Sequence, residues 1–303
     1  MPTPETGWRR WWVYQHERFP LLAHGPLILA FSLCAICFSS LLRDADHFPA
    51  WPVVAIAFVS CLISFLHLRL ADEFKDFEED SRYRPYRAVP RGLVSLRELG
   101  WLWVITGAIQ LIIALLLDWR LIGLLLVTWI YLGLMSKEFF CRSWLKAHPF
   151  TYMWTHMFIM PLIDFYATSC DWLLHTGSPP HGLYWFVLVS FLNGFIIEIG
   201  RKIRAPRDEE TGVETYSAIW GRPQAVRCWL LSSALFIGVW LAATPLHPES
   251  VWKFLAVPAT VAVSILFFYP LWPTEHTPDN RARVWFSETL IAILASLVGV
   301  LLQ

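Results

Sequence analysis

The sequence predicts an all-α fold, a polytopic membrane protein whose bundle of nine transmembrane helices begins at a cytoplasmic N-terminus. Hydrophobic residues make up 56% of the 303-residue chain and charged residues only 16%, whereas soluble domains carry about 25% charged residues. The chain also holds 18 tryptophans, a side chain that concentrates at membrane interfaces. These figures exclude a soluble globular domain, a disordered chain and a coiled coil.

Apolar stretches long enough to cross a bilayer recur from residue 20 to the C-terminus. They are joined by short connections, except for two charged segments, which we name the first charged loop (71–97) and the second charged loop (199–225). Each follows an even-numbered span, so both lie on one side of the membrane. We treat residues 1–303 as a single domain with spans over 20–42, 51–70, 98–117, 120–137, 150–169, 184–203, 226–244, 251–271 and 284–302.

Lysine and arginine residues predict the orientation of the spans. If the N-terminus is cytoplasmic, 21 of the 24 basic residues fall on the cytoplasmic side, and only Arg43, Arg120 and Lys253 fall on the other. An excess of this size follows the positive-inside rule. We therefore expect a multi-pass integral protein of the cell (inner) membrane, in contact with the lipid bilayer. The 24 acidic residues balance the basic ones, so no nucleic-acid partner is expected.

Polar residues within the spans share one location. Asp164 and Gln110 lie toward the other side, but most lie in the cytoplasmic half or at the cytoplasmic end of their span. Because ionisable groups in lipid normally face a bundle interior or a watery cavity, this pattern predicts a cavity open to the cytoplasm beneath the two charged loops. The residues concerned are His24, His67, Glu138, His156, Asn193, Glu198 and Glu288.

The first charged loop contains three aspartates at helical spacing. Asp72, Asp76 and Asp80 stand at i, i+4 and i+8 and form a stripe about 12 Å long on a single helix, with Glu73 beside it. Like charges at this spacing repel each other, so we expect a bound cation, and carboxylate oxygens suit Mg²⁺. The alternative is a solvated loop helix with internal ion pairs, since Lys75 lies beside the stripe.

Three arginines follow the stripe. Arg84, Arg87 and Arg91 are interleaved with Pro85 and Pro90, and proline ends a helix and favours a loop. Guanidinium groups held in such a loop can bind phosphate through paired hydrogen bonds. The segment therefore combines ligands for a cation with ligands for a phosphate group.

This segment resembles the UbiA superfamily of intramembrane prenyltransferases. The family motif N/D-D-x-x-D-x-x-x-D, followed by R-P-x-R-P-I/V-x-x-G, has its full spacing here, from Asp72 to Gly92. Glu73 replaces an aspartate and Ala88 replaces a proline. The resemblance implies Mg²⁺ as cofactor, a polyprenyl diphosphate donor, a lipophilic or aromatic acceptor, and an active site that faces the cytoplasm. It also extends over nearly the whole chain, since the number of spans and the positions of the loops agree.

The second charged loop departs from the family pattern. Family members carry a second motif, D-x-x-x-D, and aligning on the sequence G-V-E-T (212–215) places Asp208 on its second aspartate but Arg204 on its first. Three consequences stay open: the basic residues bind the diphosphate directly, the site uses one metal fewer, or the donor is a different phosphorylated molecule. Glu198, the nearest upstream acid, is also spaced to pair with Lys202.

The resemblance implies the roles of the site residues. The predicted metal ligands are Asp72, Glu73, Asp76, Asp80 and Asp208. The predicted diphosphate ligands are Lys75, Arg84, Arg87, Arg91, Lys137, Lys202 and Arg204, where Lys137 follows Tyr131 as in a feature of the family. No general base is assigned, and the candidates by depth are Glu198, Glu288 and His156.

The predicted reaction is the Mg²⁺-dependent transfer of a polyprenyl group to an acceptor. Two related reactions remain as alternatives, a terpene cyclisation and the transfer of pentosyl phosphate to a lipid phosphate. An alternative from another class is a membrane transporter that uses the aspartate stripe as a cation site. Against transport, the acids lie in a loop rather than near the bilayer midplane, where transporters bind their substrates.

Overall fold

The computed structural model describes residues 7–45 and 47–243, and this part of the chain is helical, with no β-strand. The last two predicted spans, 251–271 and 284–302, and the candidate Glu288 lie outside the described residues. The helices are α1 (Trp8–Arg18), α2 (Leu21–Leu42), α3 (Trp51–Lys75), α4 (Phe77–Tyr83), α5 (Leu96–Leu117), α6 (Leu121–Ser136), α7 (Arg142–Ala147), α8 (Pro149–Met157), α9 (Ile159–His175), α10 (Leu183–Arg201), α11 (Tyr216–Trp220) and α12 (Arg222–Ala243).

Several of these helices suit a bilayer. Five helical segments are long and apolar enough to cross a membrane: α2, α3, α5, α8 with α9, and α10. The shorter apolar helix α6 and the helix α12 fall on two further predicted spans. The chain is thus an integral membrane protein with several apolar helices, in which seven of the predicted spans coincide with described helices.

Local sequence accounts for where several helices begin and end. Pro52 lies in the first turn of α3, where its missing N–H costs nothing. Ser95 and Glu98 form a capping box at the start of α5, which satisfies backbone N–H groups that otherwise lack partners. Pro161 cannot donate a hydrogen bond to Met157, which explains why α8 and α9 are separate rather than one continuous helix.

The helix α9 forms the centre of the described bundle. It packs against α2, α3, α6, α8 and α10, while α3 also packs against α5, and α10 against α12. Large apolar side chains on α5 and α6, such as Leu116 (77% exposed) and Ile130 (62%), point away from this centre. Apolar residues outside and polar residues inside are the arrangement expected of a bundle in lipid.

Gln110 illustrates how a polar residue is accommodated in the interior. Its side chain donates hydrogen bonds to the Ser60 carbonyl and the Ser64 hydroxyl, both at 2.9 Å, and accepts one from the Trp129 indole at 3.0 Å. This fully buried amide joins α3, α5 and α6. These hydrogen bonds explain how a polar side chain is accommodated in this part of the span, away from the predicted cavity.

A buried ion pair closes the end of the bundle opposite the charged loops. Arg43 donates two hydrogen bonds to the carboxylate of Asp171, at 2.7 and 3.0 Å, and the Ser39 hydroxyl donates a third at 2.7 Å. This contact ties α2 to α9. The predicted cavity lies at the other end of the bundle, where α3, α6 and α10 terminate.

Candidate active site

The aspartate stripe lies where α3 meets α4. The helix α3 continues past the predicted end of its span to Lys75, so it carries Asp72 and Glu73, whereas Asp80 lies on α4. Asp76 occupies the junction, with φ −97° and ψ 7°. The prediction of one continuous helix is therefore wrong at Asp76. The i→i−4 backbone hydrogen bonds from Asp76 to Asp72 (2.9 Å) and from Asp80 to Asp76 (2.8 Å) nevertheless preserve the helical spacing.

Two of the four acidic residues are already neutralised by arginine. Glu73 is buried and forms an ion pair with Arg18 of α1. Asp80 is also buried and pairs with both Arg84 and Arg87, at 2.6 Å each. The Asp80 pairs are internal to the first charged loop, as in the alternative raised by the sequence, whereas Glu73 pairs outside the loop, with α1.

Asp72 and Asp76 remain more available. The Asp72 side chain is 47% exposed, and its contact with Arg69 is a loose one at 3.5 Å. Asp76 forms no ion pair within the described residues. Its pKa is raised because burial disfavours the charged carboxylate, and the nearby carboxylates of Asp72 and Asp80 raise it further. A bound cation would relieve this unfavourable concentration of negative charge.

The third predicted phosphate ligand contacts the N-terminal helix. Arg91 donates two hydrogen bonds to the carboxylate of Glu17, at 2.7 and 2.9 Å, and another to the backbone carbonyl of Tyr86 at 2.8 Å. An exposed pair of this kind contributes little stability. Arg91 can therefore be released to another anion more readily than Arg84 or Arg87.

The helix α1 has a role that the sequence prediction missed. Ion pairs from Arg10 to Glu98 and from Arg18 to Glu73, together with the Glu17–Arg91 pair, attach it to α5, α3 and the first charged loop. Trp8 and Trp12 are exposed, as in helices that lie in a membrane interface. The mixture of tryptophan and charge in residues 8–18 was the available signal.

Three basic residues of the second charged loop are paired as well. Glu198 is buried and contacts Arg201 and also Lys202, the latter at 2.8 Å, so the pairing predicted from their spacing is present. Arg204 donates a hydrogen bond to Glu210 at 3.0 Å and another to the backbone carbonyl of Asp208 at 3.3 Å. Asp208 itself lies in a single 3-10 turn, Pro206–Asp208.

The two charged loops contact each other, which agrees with the prediction that both lie at the same end of the bundle. The Tyr86 hydroxyl donates a hydrogen bond to Glu210 at 2.9 Å, and Gly212 lies directly against the ring of Tyr83. Burial acts to raise the pKa of Glu210, but hydrogen bonds from Tyr86 and Arg204 prevail and lower it. Both loops thus close over the same end of the bundle.

Two of the predicted diphosphate ligands, Lys75 and Lys137, lie in different surroundings. Lys75 points to Glu138, at 3.1 Å, and its ammonium donates a 2.5 Å hydrogen bond to the Tyr152 hydroxyl. Lys137 is exposed at the end of α6. His156 lies beside Tyr152, one helical turn away. The structure therefore gathers Lys75, Glu138 and His156, whereas Lys137 lies at the surface.

The donor set fits Mg²⁺ that is shared with a substrate. Within residues 7–45 and 47–243, no three acidic, histidine or cysteine side chains converge into a ready metal centre. Asp72 and Asp76 supply hard oxygen atoms one helical turn apart, and Mg²⁺ typically completes its shell with water and phosphate oxygens. These two carboxylates are the ones best placed to hold the ion.

Comparisons with known proteins give a family and a fold for the chain. A model of the UbiA prenyltransferase family matches residues 29–297. The apo structure of a UbiA homolog from Aeropyrum pernix K1 is 15% identical, with a TM-score of 0.68 over 90% of this chain and 96% of that chain. A UbiA homolog from Archaeoglobus fulgidus, bound to DMAPP and Mg²⁺, is 12% identical, with a TM-score of 0.65 over 95% and 98%.

A structure of digeranylgeranylglyceryl phosphate synthase is also similar, with 12% identity and a TM-score of 0.55 over 97% of this chain and 98% of that chain. No curated protein sequence matches the chain. At these identities the structural likeness shows the fold, whereas the family model covers most of the chain, including the aspartate stripe. The chain belongs to the UbiA prenyltransferase family.

Proposed function

We propose that this protein is a prenyltransferase that moves a polyprenyl group from its diphosphate to a lipophilic or aromatic acceptor, in a membrane cavity that faces the cytoplasm. The observation that carries the proposal is the junction of α3 and α4, where Asp72 and Asp76 lie one turn apart and the nearest arginine contact is the loose one from Arg69 to Asp72, at 3.5 Å. Around them, buried acids hold arginines in place. A site of this composition suits a diphosphate accompanied by a cation.

The residues that would bind the diphosphate donor form two groups, the acidic metal ligands and the arginines. Asp72 and Asp76 would hold Mg²⁺, which when bound offsets negative charge on the diphosphate leaving group. Arg91 is held by an exposed pair with Glu17 and a hydrogen bond to the Tyr86 carbonyl, without a buried ion pair, so we assign it a contact with diphosphate oxygens. Arg84 and Arg87 are oriented by Asp80 and add positive charge on the same side.

The second charged loop would contribute differently from the family pattern. Arg204 occupies the position of an aspartate, and Arg201 and Lys202 share the single carboxylate of Glu198. These two cations and one anion leave one net positive charge at the end of α10. Arg201 also interacts electrostatically with Asp72, which supports a role for this charge near the stripe. We therefore infer that the basic side chains of this loop bind the diphosphate directly, and that Asp208 is a minor ligand of the metal ion.

The bundle would protect the reacting group from water. A prenyl cation or a developing positive charge is consumed by water, so exclusion of water from the site favours transfer to the acceptor. The interior beneath the loops is largely apolar, with Ile159, Ile163 and Leu132 in one buried cluster. The acids of the stripe lie at the end of α3 rather than in the middle of a span, which disfavours the transporter alternative.

Binding of geranylgeranyl diphosphate to the purified protein in nanodiscs tests the proposal. We expect binding that requires Mg²⁺ and that weakens at least tenfold in Asp76→Ala, because a cation ligand is lost. The matched control is Glu78→Ala, since Glu78 is an exposed acid two residues further along and should bind like the wild type.

Two results would contradict the proposal. One is binding of the diphosphate that does not depend on Mg²⁺. The other is equal binding by Asp76→Ala and Glu78→Ala, which would assign the stripe a purely structural role. If neither result is obtained, detection of a prenylated lipid after incubation with membranes would identify the acceptor.

A further inference from the structure

The N-terminal helix α1 places a buried hydroxyl group beside the aspartate stripe. Tyr14 is only 2% exposed and lies in one buried cluster with Leu70, two residues before Asp72. One turn further along α1, Arg18 forms its ion pair with Glu73. Because these two contacts follow one another along both helices, α1 runs alongside the C-terminal end of α3, with Tyr14 level with the residues just before the stripe.

The Tyr14 hydroxyl has no hydrogen-bond partner among the described residues. A buried polar group without a partner costs free energy, so each one in a native structure calls for an explanation. The hydroxyl interacts electrostatically with Arg69 and Asp72, so its surroundings are the charged end of α3 rather than the apolar interior of the bundle. A ligand that binds at this charged end would supply the missing partner.

Arg69 lies in the same region, and its charge is poorly neutralised. Its one ion pair among the described residues is the loose contact with Asp72, at 3.5 Å, and its Nε is buried without a hydrogen-bond partner there. Arg18 and Arg201 interact electrostatically with Arg69, but each is paired with its own buried carboxylate. Arg69 is thus the arginine of this group that lacks a full counter-ion.

Binding of Mg²⁺ would increase this need for negative charge. Asp72 is a proposed metal ligand, and a carboxylate shared with Mg²⁺ neutralises Arg69 less well. Neighbouring ligand atoms of an octahedral Mg²⁺ ion lie about 3 Å apart, so a phosphate oxygen bound next to Asp72 is within reach of the guanidinium group. Since Arg69 can only donate hydrogen bonds, a phosphate oxygen supplies both the acceptor and the charge.

The arginines of the first charged loop are too distant to serve this place. Arg84 and Arg87 are anchored on Asp80, eleven residues after Arg69 and about 16 Å further along the helical rise of the chain. A diphosphate is much shorter, since its two phosphate groups share one oxygen atom. Arg69 precedes the stripe, on the side of the span where the prenyl chain must enter the bilayer, so this end of the donor needs contacts of its own.

We propose that the Tyr14 hydroxyl and Arg69 Nε donate hydrogen bonds to a phosphate oxygen of the prenyl diphosphate, on the membrane side of the Mg²⁺ ion. This inference rests on the proposed function and makes α1 part of the donor site. Neither residue belongs to the aspartate stripe or to the arginines that follow it. The diphosphate supplies the acceptor that both groups lack among the described residues.

The variant Tyr14→Phe separates a binding role from a structural one, because it removes the hydroxyl and keeps the ring. Binding of geranylgeranyl diphosphate is measured in nanodiscs with Mg²⁺, and thermal unfolding is measured without the diphosphate. We expect binding to weaken about tenfold, as for the loss of one hydrogen bond to a charged group. The unfolding temperature should equal or exceed that of the wild type, since the variant loses a buried hydroxyl that has no partner.

Tyr166→Phe is the matched control. Tyr166 is also 2% exposed, but its hydroxyl lies 3.4 Å from Ser60 Oγ, and its ring belongs to the buried cluster at the start of α3. This variant should bind the diphosphate like the wild type. Arg69→Gln is a second, independent variant and should weaken binding at least tenfold, whereas Arg9→Gln, which removes an exposed charge from α1, should not.

The wild type, measured in the same way, separates the two proposals. If it binds the diphosphate with Mg²⁺ and either Tyr14→Phe or Arg69→Gln binds as tightly, the contact is overturned and the prenyltransferase proposal stands. Weaker binding by Tyr14→Phe together with a lower unfolding temperature also overturns the contact, because the hydroxyl would then stabilise the protein itself. Absence of Mg²⁺-dependent binding in the wild type would instead contradict the proposed function.

Discussion

Acidic residues of a single motif differ here in what neutralises them. Glu73 and Asp80 are buried against arginines, whereas Asp72 and Asp76 lack such a clamp. A buried ion pair contributes little net stability while it is intact, but removing one partner leaves an uncompensated charge. The role of each carboxylate thus follows from its neighbours rather than from its place in the motif.

We expect Arg18→Met to destabilise the protein by about 3 kcal/mol, because it leaves the Glu73 carboxylate buried without its partner. The double variant Arg18→Met/Glu73→Gln should recover most of this loss, since the amide carries no charge. Thermal unfolding in detergent measures the effect. Arg9→Met, at an exposed position of the same helix, is the control and should unfold like the wild type. Equal unfolding temperatures for Arg18→Met and Arg9→Met would show that the pair is not formed.

At the scale of elements, the two charged loops are held in contact by a small number of side chains. Tyr83 packs on Gly212, and Tyr86 bonds to Glu210. A Cβ atom on Gly212 would lie 2.5 Å from the Tyr83 ring, a distance at which the ring must move. The absence of a side chain at this position is therefore required for the loops to close.

Gly212→Ala and Gly221→Ala form a matched pair that tests this contact. Both glycines have positive φ angles, +76° and +79°, but a Cβ on Gly221 would meet no atom within 4 Å. Each alanine is strained by the positive φ angle, at a cost of about 1–3 kcal/mol, and only Gly212→Ala should also speed hydrogen exchange in α4 and the second charged loop. Hydrogen exchange followed by mass spectrometry measures this, and equal exchange in the two variants would show that the loops do not depend on the Tyr83–Gly212 contact.

On the scale of the whole molecule, the distribution of basic residues predicts which end of the bundle faces the cytoplasm. The charged loops and α1 gather at one end, and the Arg43–Asp171 pair lies at the other. With 21 basic residues predicted on the first side and three on the second, the positive-inside rule predicts that the active site faces the cytoplasm.

Cysteine labelling tests the orientation. Ser143 and Ser178 are both exposed, at opposite ends of the bundle. A membrane-impermeant maleimide should label Ser178→Cys in intact cells, and should label Ser143→Cys only after the membrane is permeabilised. The unsubstituted protein shows the background from the six native cysteines. Labelling in the reverse pattern would invert the predicted orientation.

Prediction from sequence succeeded for features that depend on local pattern. Apolar length located the seven predicted spans that coincide with described helices, and the motif from Asp72 to Gly92 located the loop that belongs to the family. Pairing within a helix, as for Glu198 and Lys202, also followed from spacing alone. Prediction from sequence failed for ion-pair partners that are distant in the chain, such as Arg18 for Glu73, since no local pattern encodes them.

The sequence by itself determined the membrane setting, the helical class and the identity of the charged loops, because hydropathy acts within a single span of about 20 residues and motif spacing within a few helical turns. The tertiary structure decided which charges are neutralised and which remain available. It directed Lys75 away from the stripe toward Glu138 and Tyr152, and it brought His156 beside them. The two contacts of Lys75 join residues more than 60 positions apart in the chain, and only the packing of α3, α6 and α8 brings them within a few ångströms.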